Sequence, residues 1–463
     1  RDLHKEYRRQ RQMCIRDRLR FIMAFGLGII FCLIATISPV DKTPLNESQY
    51  YQLAQQKLDS LNSSYTLQNS KYFKAGWAKT NITPQYPLPL AGYGARKGAI
   101  VSTVHDSVWA RGFVFDDGFN KSAIITLDAL IIPPAVTETL RILLPEIGYS
   151  LDKVFLSATH THCSVGGWAN GWIGTQFAGE YEDKIVSDLA NAIITTIKKA
   201  ETELVSAKVG YARYDASPFI RNRLVGEKGS RDPWLRVVKI QQESGEVALI
   251  TTFAAHATVL SHRQMNYSRG YPGALVDSLE NLTNVDFAAF CAGAVGSHSP
   301  VAKGENSYDR ISLLASNLTA IISANVSGIA MDEVQQTSTI QFDIPLRKPH
   351  MRVATNWRVR PWIFEKLTEA SPAYISLLRI GNVTFVGTPC DFSGELTAAI
   401  DEKATALDLD VLVTSFNGGY IGYITKDEWY NLKEYETFVM NWYGPYNGAY
   451  FVSLIQGLLE VIT

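Results

Sequence analysis

Two imidazoles one residue apart mark the most reactive stretch of the sequence. His160 and His162 lie in SATHTHCSVGG, directly behind the apolar run KVFL. In an extended chain alternate side chains face the same way, so this spacing predicts the two rings side by side. One ring can bind zinc through a nitrogen while the other handles protons near neutral pH. A pair of hydrogen-bonded loop histidines is the plainer reading of the same motif. His256 in TTFAAHATVLS ends another apolar run, where a lone histidine is more often a satisfied core residue than a ligand. Asp391 in VGTPCDFSGEL follows a third run, and a buried carboxylate there needs a partner. Its ordinary role is an N-cap for GELTAAIDEKA. Tyr420 and Tyr423 in FNGGYIGYIT have core packing as their default reading. Ser299 in CAGAVGSHSP suits either a nucleophile or a turn serine.

These residues share a position: each follows a strand-like run and precedes a turn marked by Gly or Pro. The runs SAIITLDALII, KVFLSATH, WLRVVKI, VALITTFAA, DFAAFCAGA, YISLLRI, VTFVGTP and LVTSFNG alternate with helical stretches such as YEDKIVSDLANAIITTIKKA and SYDRISLLASNLTAII. That alternation predicts an α/β fold of mostly buried sheets flanked by helices, with the site at strand ends, where α/β sheets bind ligands. No repeat and no Pro/Gly-rich break divides the later chain, so residues 72–463 read as one large catalytic domain closing on the helix-like AYFVSLIQGLLEVIT. The sequence has no H-E-x-x-H, P-loop, G-x-G-x-x-G or G-x-S-x-G motif, which removes support for the usual serine hydrolase and nucleotide folds.

With 46% hydrophobic and 19% charged side chains over 463 residues, the chain can bury one large core or several ordinary ones, which excludes disorder and a disulfide-stapled mini-protein. The net charge is −1, but residues 1–20 hold eight Lys/Arg against three Asp/Glu, so the remainder carries −6 and is a poor nucleic-acid binder. Five cysteines without C-x-x-C spacing suggest neither a disulfide framework nor a zinc knuckle.

Phe21 to Val40 runs twenty residues without a charge, long enough to cross a hydrocarbon core of about 30 Å as a helix. The basic residues 1–20 should stay cytoplasmic and place the body outside, either periplasmic or on the cell surface. A cleaved signal, and hence a secreted protein, is the rival reading. Residues 41–71, with the short amphipathic YYQLAQQKLDSL and the linker NSSYTLQNS, read as a stalk.

Taken in order, AGWAKTNITP, AGYG, VHDSVWARGFVF, SATHTHCSVGG, IRNR, FAAHATVLS, GSHSP, TPCDFSGE, GYIGYIT, KEYE and WYGPYNGAY resemble the catalytic domain of the neutral (non-lysosomal) ceramidase family, zinc amidases that cleave the fatty acyl amide of ceramide. The resemblance implies that zinc is held by His160, His256, Asp391 and Tyr423. It also implies that His162, Arg223 in IRNR, Ser299 and Tyr435 in KEYE belong to the catalytic site. Three departures stand out. Asp391 occupies a position where the family usually has Glu, the family's G-D/N-x-S-P turn reads GSHSP, and the family's C-terminal immunoglobulin-like domain is not matched.

Such a set is chemically coherent, since a catalytic zinc lowers the pKa of its water to about 7 and polarises an amide carbonyl. His162 can pass protons, Arg223 and Tyr435 can stabilise an oxyanion or hold substrate, and Ser299 can bind a substrate hydroxyl or act as nucleophile. The expectation is a membrane-anchored zinc amidohydrolase of ceramide or a related N-acyl lipid, releasing a fatty acid and a sphingoid base. The alternatives are a zinc hydrolase of another amide or ester, and a non-catalytic metal-binding surface protein.

Overall fold

A computed structural model describes residues 2–368 and 371–463. Its centre is two sheets packed face to face. The larger has eight strands in the spatial order Phe287–Ala292, Val247–Phe253, Trp234–Gln242, Val205–Asp215, Lys74–Asn81, Trp109–Asp116, Lys121–Leu127 and Val154–Ala158. The smaller has four, in the order Thr337–Asp343, Tyr374–Ile380, Val383–Thr388 and Asp410–Ser415. Both sheets are mixed: Lys121–Leu127 runs parallel to Val154–Ala158, and Val383–Thr388 runs parallel to Asp410–Ser415, while most other neighbours are antiparallel.

Alternation along the strands builds the layers. Phe113, Phe115, Ile124, Phe155 and Ile250 of the larger sheet meet Leu378, Phe385 and Leu412 of the smaller in one apolar layer. The alternate residues Val114, Ile125, Leu156 and Leu249 point the other way, against helices Pro134–Leu143, Asp183–Thr202, Gly270–Glu280 and Ser307–Ser323. On the outer face of the smaller sheet, Leu377, Val386 and Val413 pack against helices Thr397–Ala406 and Asn447–Val461. The result is a helix–sheet–sheet–helix sandwich. Strands buried on both faces read as continuous apolar runs, which is why most of them are visible in the sequence.

The apolar N-terminal segment is helical, within a single helix Asp2–Thr36, and differs from the expected span at its end. The helix stops at Thr36, Ile37–Pro39 form a strand paired with Trp357–Val359, and Val40 is buried. The uncharged helical part, Phe21 to Thr36, is therefore roughly 24 Å long at about 1.5 Å per residue.

Residues read as a stalk are docked instead. Helix Gln49–Ser64 lies on Asn447–Val461, with Ala54 fully buried, Leu58 7% exposed, and Tyr50 edge-on to Tyr450 at 5.1 Å. The polar composition misleads because only one stripe of this helix needs to be apolar to pack.

Candidate metal centre

Strand ends from both sheets meet at one edge, and the singled-out residues lie there. His160 follows Val154–Ala158, His256 follows Val247–Phe253, and Asp391 lies beyond Val383–Thr388. Asp391 and Tyr423 are direct partners in a short parallel pair. Asp391 is therefore not a helix cap; Ser393 takes that place, accepting from Glu395 N.

The side-by-side imidazoles are present, but not through an extended strand. His160 has φ = 60°, a left-handed backbone uncommon for a residue with a Cβ, and the ladder ends just before it, where Thr159 N donates to Leu127 O. The turn still carries both rings to the same side: His160 Nε2 and His162 Nε2 are 3.2 Å apart, with ring planes at 81°. Phe416, also left-handed at φ = 67°, stacks on His160 at 4.1 Å. Gly92 makes room for His162. A Cβ there would lie 2.7 Å from His162 Cα and Cβ, so the AGYG turn admits only glycine.

His256 Nε2 completes a triangle, 2.8 Å from His160 Nε2 and 3.1 Å from His162 Nε2. A ring nitrogen has one in-plane lone pair or one proton, so no protonation pattern makes all three contacts hydrogen bonds. Donors about 2.0–2.1 Å from a tetrahedral zinc would stand roughly 3.3 Å apart, close to what is seen. His160 Nδ1 donates to Leu130 O at 2.6 Å and His256 Nδ1 faces Val295 O at 3.4 Å, which assigns the proton to Nδ1 and leaves Nε2 the lone pair in both rings. Burial holds the His160 ring neutral, with its pKa down at about 3, and pushes those of His162 and His256 well below the ordinary value.

Asp391 brings an oxygen to the same place. Its Oδ1 is buried without a hydrogen-bond partner among the described residues, 3.7 Å from His160 Nε2, while Oδ2 accepts from Tyr420 at 2.8 Å. Burial raises the carboxyl pKa to about 7, against the lowering influence of the Tyr420 bond and the Arg223 charge. A buried oxygen left unpaired beside converging lone pairs is the donor set of a cation site. His160, His162, His256, Asp391, Tyr423 and Tyr435 all line one mostly apolar cavity. Its outer walls are Ile131, Trp168, Ile173, Phe177, Met440 and Trp442.

Arg223 stands behind Tyr423, donating to its hydroxyl at 3.2 Å and pairing with Glu436 Oε1 at 2.8 Å. Ser299 is not among the cavity-lining residues. It pairs with Arg221 between strands Ile220–Asn222 and His298–Pro300, and its Oγ accepts from Arg221 Nε at 3.1 Å. The neighbouring His298 turns its Nε2 toward Ser230 O at 3.2 Å.

Sequence reasoning assigned no role to Tyr420 beyond packing, or to Arg96 at all. Arg96 lies buried beneath the histidine turn, donating to His162 O, to Cys163 Sγ at 3.2 Å and to Gln264 O at 3.0 Å. Nothing local in AGYGAR signals this, because most of its partners lie far along the chain.

The family described as neutral/alkaline non-lysosomal ceramidase, N-terminal, matches residues 73–341. Neutral ceramidase of Pseudomonas aeruginosa is 22% identical over 208 residues, covering 41% of this chain and 31% of the relative. Neutral ceramidase A of Dictyostelium discoideum is 25% identical over 278 residues, covering 54% and 39%. The chain thus aligns with about a third of the length of these curated relatives. The crystal structure of the Pseudomonas aeruginosa neutral ceramidase superposes with a TM-score of 0.71 at 20% identity, covering 86% of this chain and 75% of that one. A ceramidase complexed with C2 gives 0.71 at 19% identity, covering 85% and 76%. At such identities the likeness is one of fold.

Proposed function

Because this chain belongs to the neutral/alkaline non-lysosomal ceramidase family, we propose that it is a zinc-dependent amidohydrolase that cleaves the N-acyl amide of ceramide or a closely related lipid. The observation that carries this reading is the triangle of His160, His162 and His256 nitrogens at the base of an apolar cavity. His160, His256, Asp391 and Tyr423 would hold the metal, and bound zinc supplies a Lewis acid for the amide carbonyl and a hydroxide-like nucleophile at neutral pH.

The chain's own residues divide the remaining work. His162, neutral and with its ring 4.6 Å from Tyr93, accepts a proton at Nε2 and returns it to the leaving amine. Arg223 places positive charge behind the Tyr423 hydroxyl, where it favours negative charge developing on a carbonyl oxygen. Tyr435, edge-on to Tyr423 at 5.8 Å, offers a second hydroxyl at the cavity wall. Trp168, Ile173, Phe177 and Trp442 give an acyl chain apolar surface and keep water off the amide.

The body is read as extracytoplasmic, tethered by helix Asp2–Thr36 or released after that segment acts as a signal. Metal analysis together with turnover of a fluorescent ceramide tests the whole reading. Replacing His256 by Ala should remove both metal and activity, and full zinc occupancy in H256A would sink the ligand assignment.

A further inference from the structure

The small sheet Ile37–Pro39, Trp357–Val359 and Arg352–Ala354 joins the apolar helix to the wall of the cavity. At the helix end Arg360 N donates to Thr36 O and Arg360 Nε to Ile34 O, both at 2.8 Å, so the hairpin is held against the last turn of Asp2–Thr36. On the other side Met351 packs into the cluster of Phe364, Tyr423, Met440 and Trp442, and Thr368, just beyond helix Pro361–Leu367, lines the cavity itself.

This connecting element presents an unusual surface. Val353 and Trp357 are each 50% exposed and Trp362 is 49% exposed. Residues 348–368 carry five Lys/Arg against the single acid Glu365, in a body that is otherwise net acidic; Arg352 is buried, and the other four are Lys348, Arg358, Arg360 and Lys366. Lys348 and Lys366 are exposed, and Lys366 Nζ sits 5.7 Å from the Trp362 ring. Exposed tryptophans interleaved with lysines, beside the point where a long apolar helix ends, match the chemistry of a bilayer interface. Indole rings favour the headgroup level, and cations favour anionic lipid.

We propose that hairpin Arg352–Val359 and helix Pro361–Leu367 form a membrane-contact face that seats on an anionic bilayer surface through Val353, Trp357 and Trp362. The contact holds the cavity mouth at the lipid interface. The proposal rests on reading Asp2–Thr36 as membrane-inserted; its link to the cavity rests on the lipid-hydrolase reading.

The test uses the full chain in vesicles of phosphatidylcholine with phosphatidylserine, with brominated lipids as quenchers of tryptophan fluorescence. Quenching is expected in the unmodified protein, most of it lost in W357F/W362F, and retained in W77F, whose ring packs on Phe287 in the sheet core. Omitting phosphatidylserine, or introducing K348E/K366E, should weaken it. V353D keeps every tryptophan and should also lower it, so the proposal stays testable should the double variant fold poorly. Equal quenching in W357F/W362F and the unmodified protein would overturn it. So would absent quenching while carbonate extraction shows the helix inserted, or a face that drives lipid-independent self-association. None of these readouts needs turnover, so a protein inactive on ceramide still decides the matter.

Discussion

Tyr420 donates its phenolic hydrogen to Asp391 Oδ2 at 2.8 Å, and this leaves Oδ1 as the oxygen facing the histidines, 3.7 Å from His160 Nε2. A ligating carboxylate held by an outer partner loses its orientation when that partner is removed. Tyr420→Phe should therefore weaken zinc binding about 10- to 100-fold in a competitive chelator titration. Unchanged affinity would remove Tyr420 from the site. The role matters here because Asp391 is one methylene shorter than the glutamate the family usually carries, and its reach depends on where it is held.

The three histidines meet at one edge of the sheets for reasons only partly written in the local sequence. Each follows an apolar run, and that pattern was readable because the strands are buried on both faces. Strands Lys74–Asn81 and Val205–Asp215 were not readable, since KAGWAKTN and VSAKVGYARYD mix polar and apolar residues. The H-x-H reading reached the correct pairing through the wrong backbone: a left-handed residue at His160, not an extended strand, turns the rings together. Tyr420 and Arg96 were invisible as site residues because their partners come from distant segments. The docking of Gln49–Ser64 was hidden in the same way, by a stripe too narrow to shift the composition.

Proton linkage offers a second check on the centre. Burial raises the Asp391 pKa to about 7 and holds His160 at about 3, so near pH 6 the carboxyl is protonated while the histidines are neutral. Metal uptake must then expel the carboxyl proton and few others. Calorimetry in buffers of different ionisation enthalpy should find about one proton released per zinc near pH 6, where the carboxyl is still protonated and a zinc-bound water is not yet ionised. Apparent affinity should fall correspondingly as pH drops. D391N should abolish this release, and three protons released near pH 6 would mean that the histidines are charged in the metal-free protein.

Leu58 separates a docked helix from a stalk. Its side chain lies against the C-terminal helix, where a Cβ on Gly457 would stand 3.0 Å from Leu58 Cδ1. Truncating a buried leucine costs about 2–5 kcal/mol, transfer and cavity together. Leu58→Ala should lower the unfolding free energy by about 2–4 kcal/mol in denaturant titration, less than the maximum because the site is near the surface. A stalk would show no change.

Ser299 and His162 carry the choice of mechanism. A serine nucleophile needs a base within hydrogen-bond reach, yet Ser299 Oγ receives its hydrogen bond from Arg221 Nε, a group that donates and cannot take a proton. His298, the adjacent imidazole, is engaged with Ser230 O, and Ser299 is absent from the lining of the cavity that holds the histidines. His162 has the opposite credentials: it is buried, neutral and set with Nε2 3.1 Å from His256 Nε2 at the centre of the site. Ser299→Ala should therefore keep measurable turnover, whereas His162→Ala should lose roughly 10²- to 10⁴-fold, the usual worth of a positioned acid–base group. Metal content distinguishes the roles within His162 itself. Retained zinc with lost turnover marks a proton-handling ring, and lost zinc marks a further ligand. An acyl group trapped on Ser299 by rapid quench and mass spectrometry would reverse the ordering and make the serine the nucleophile.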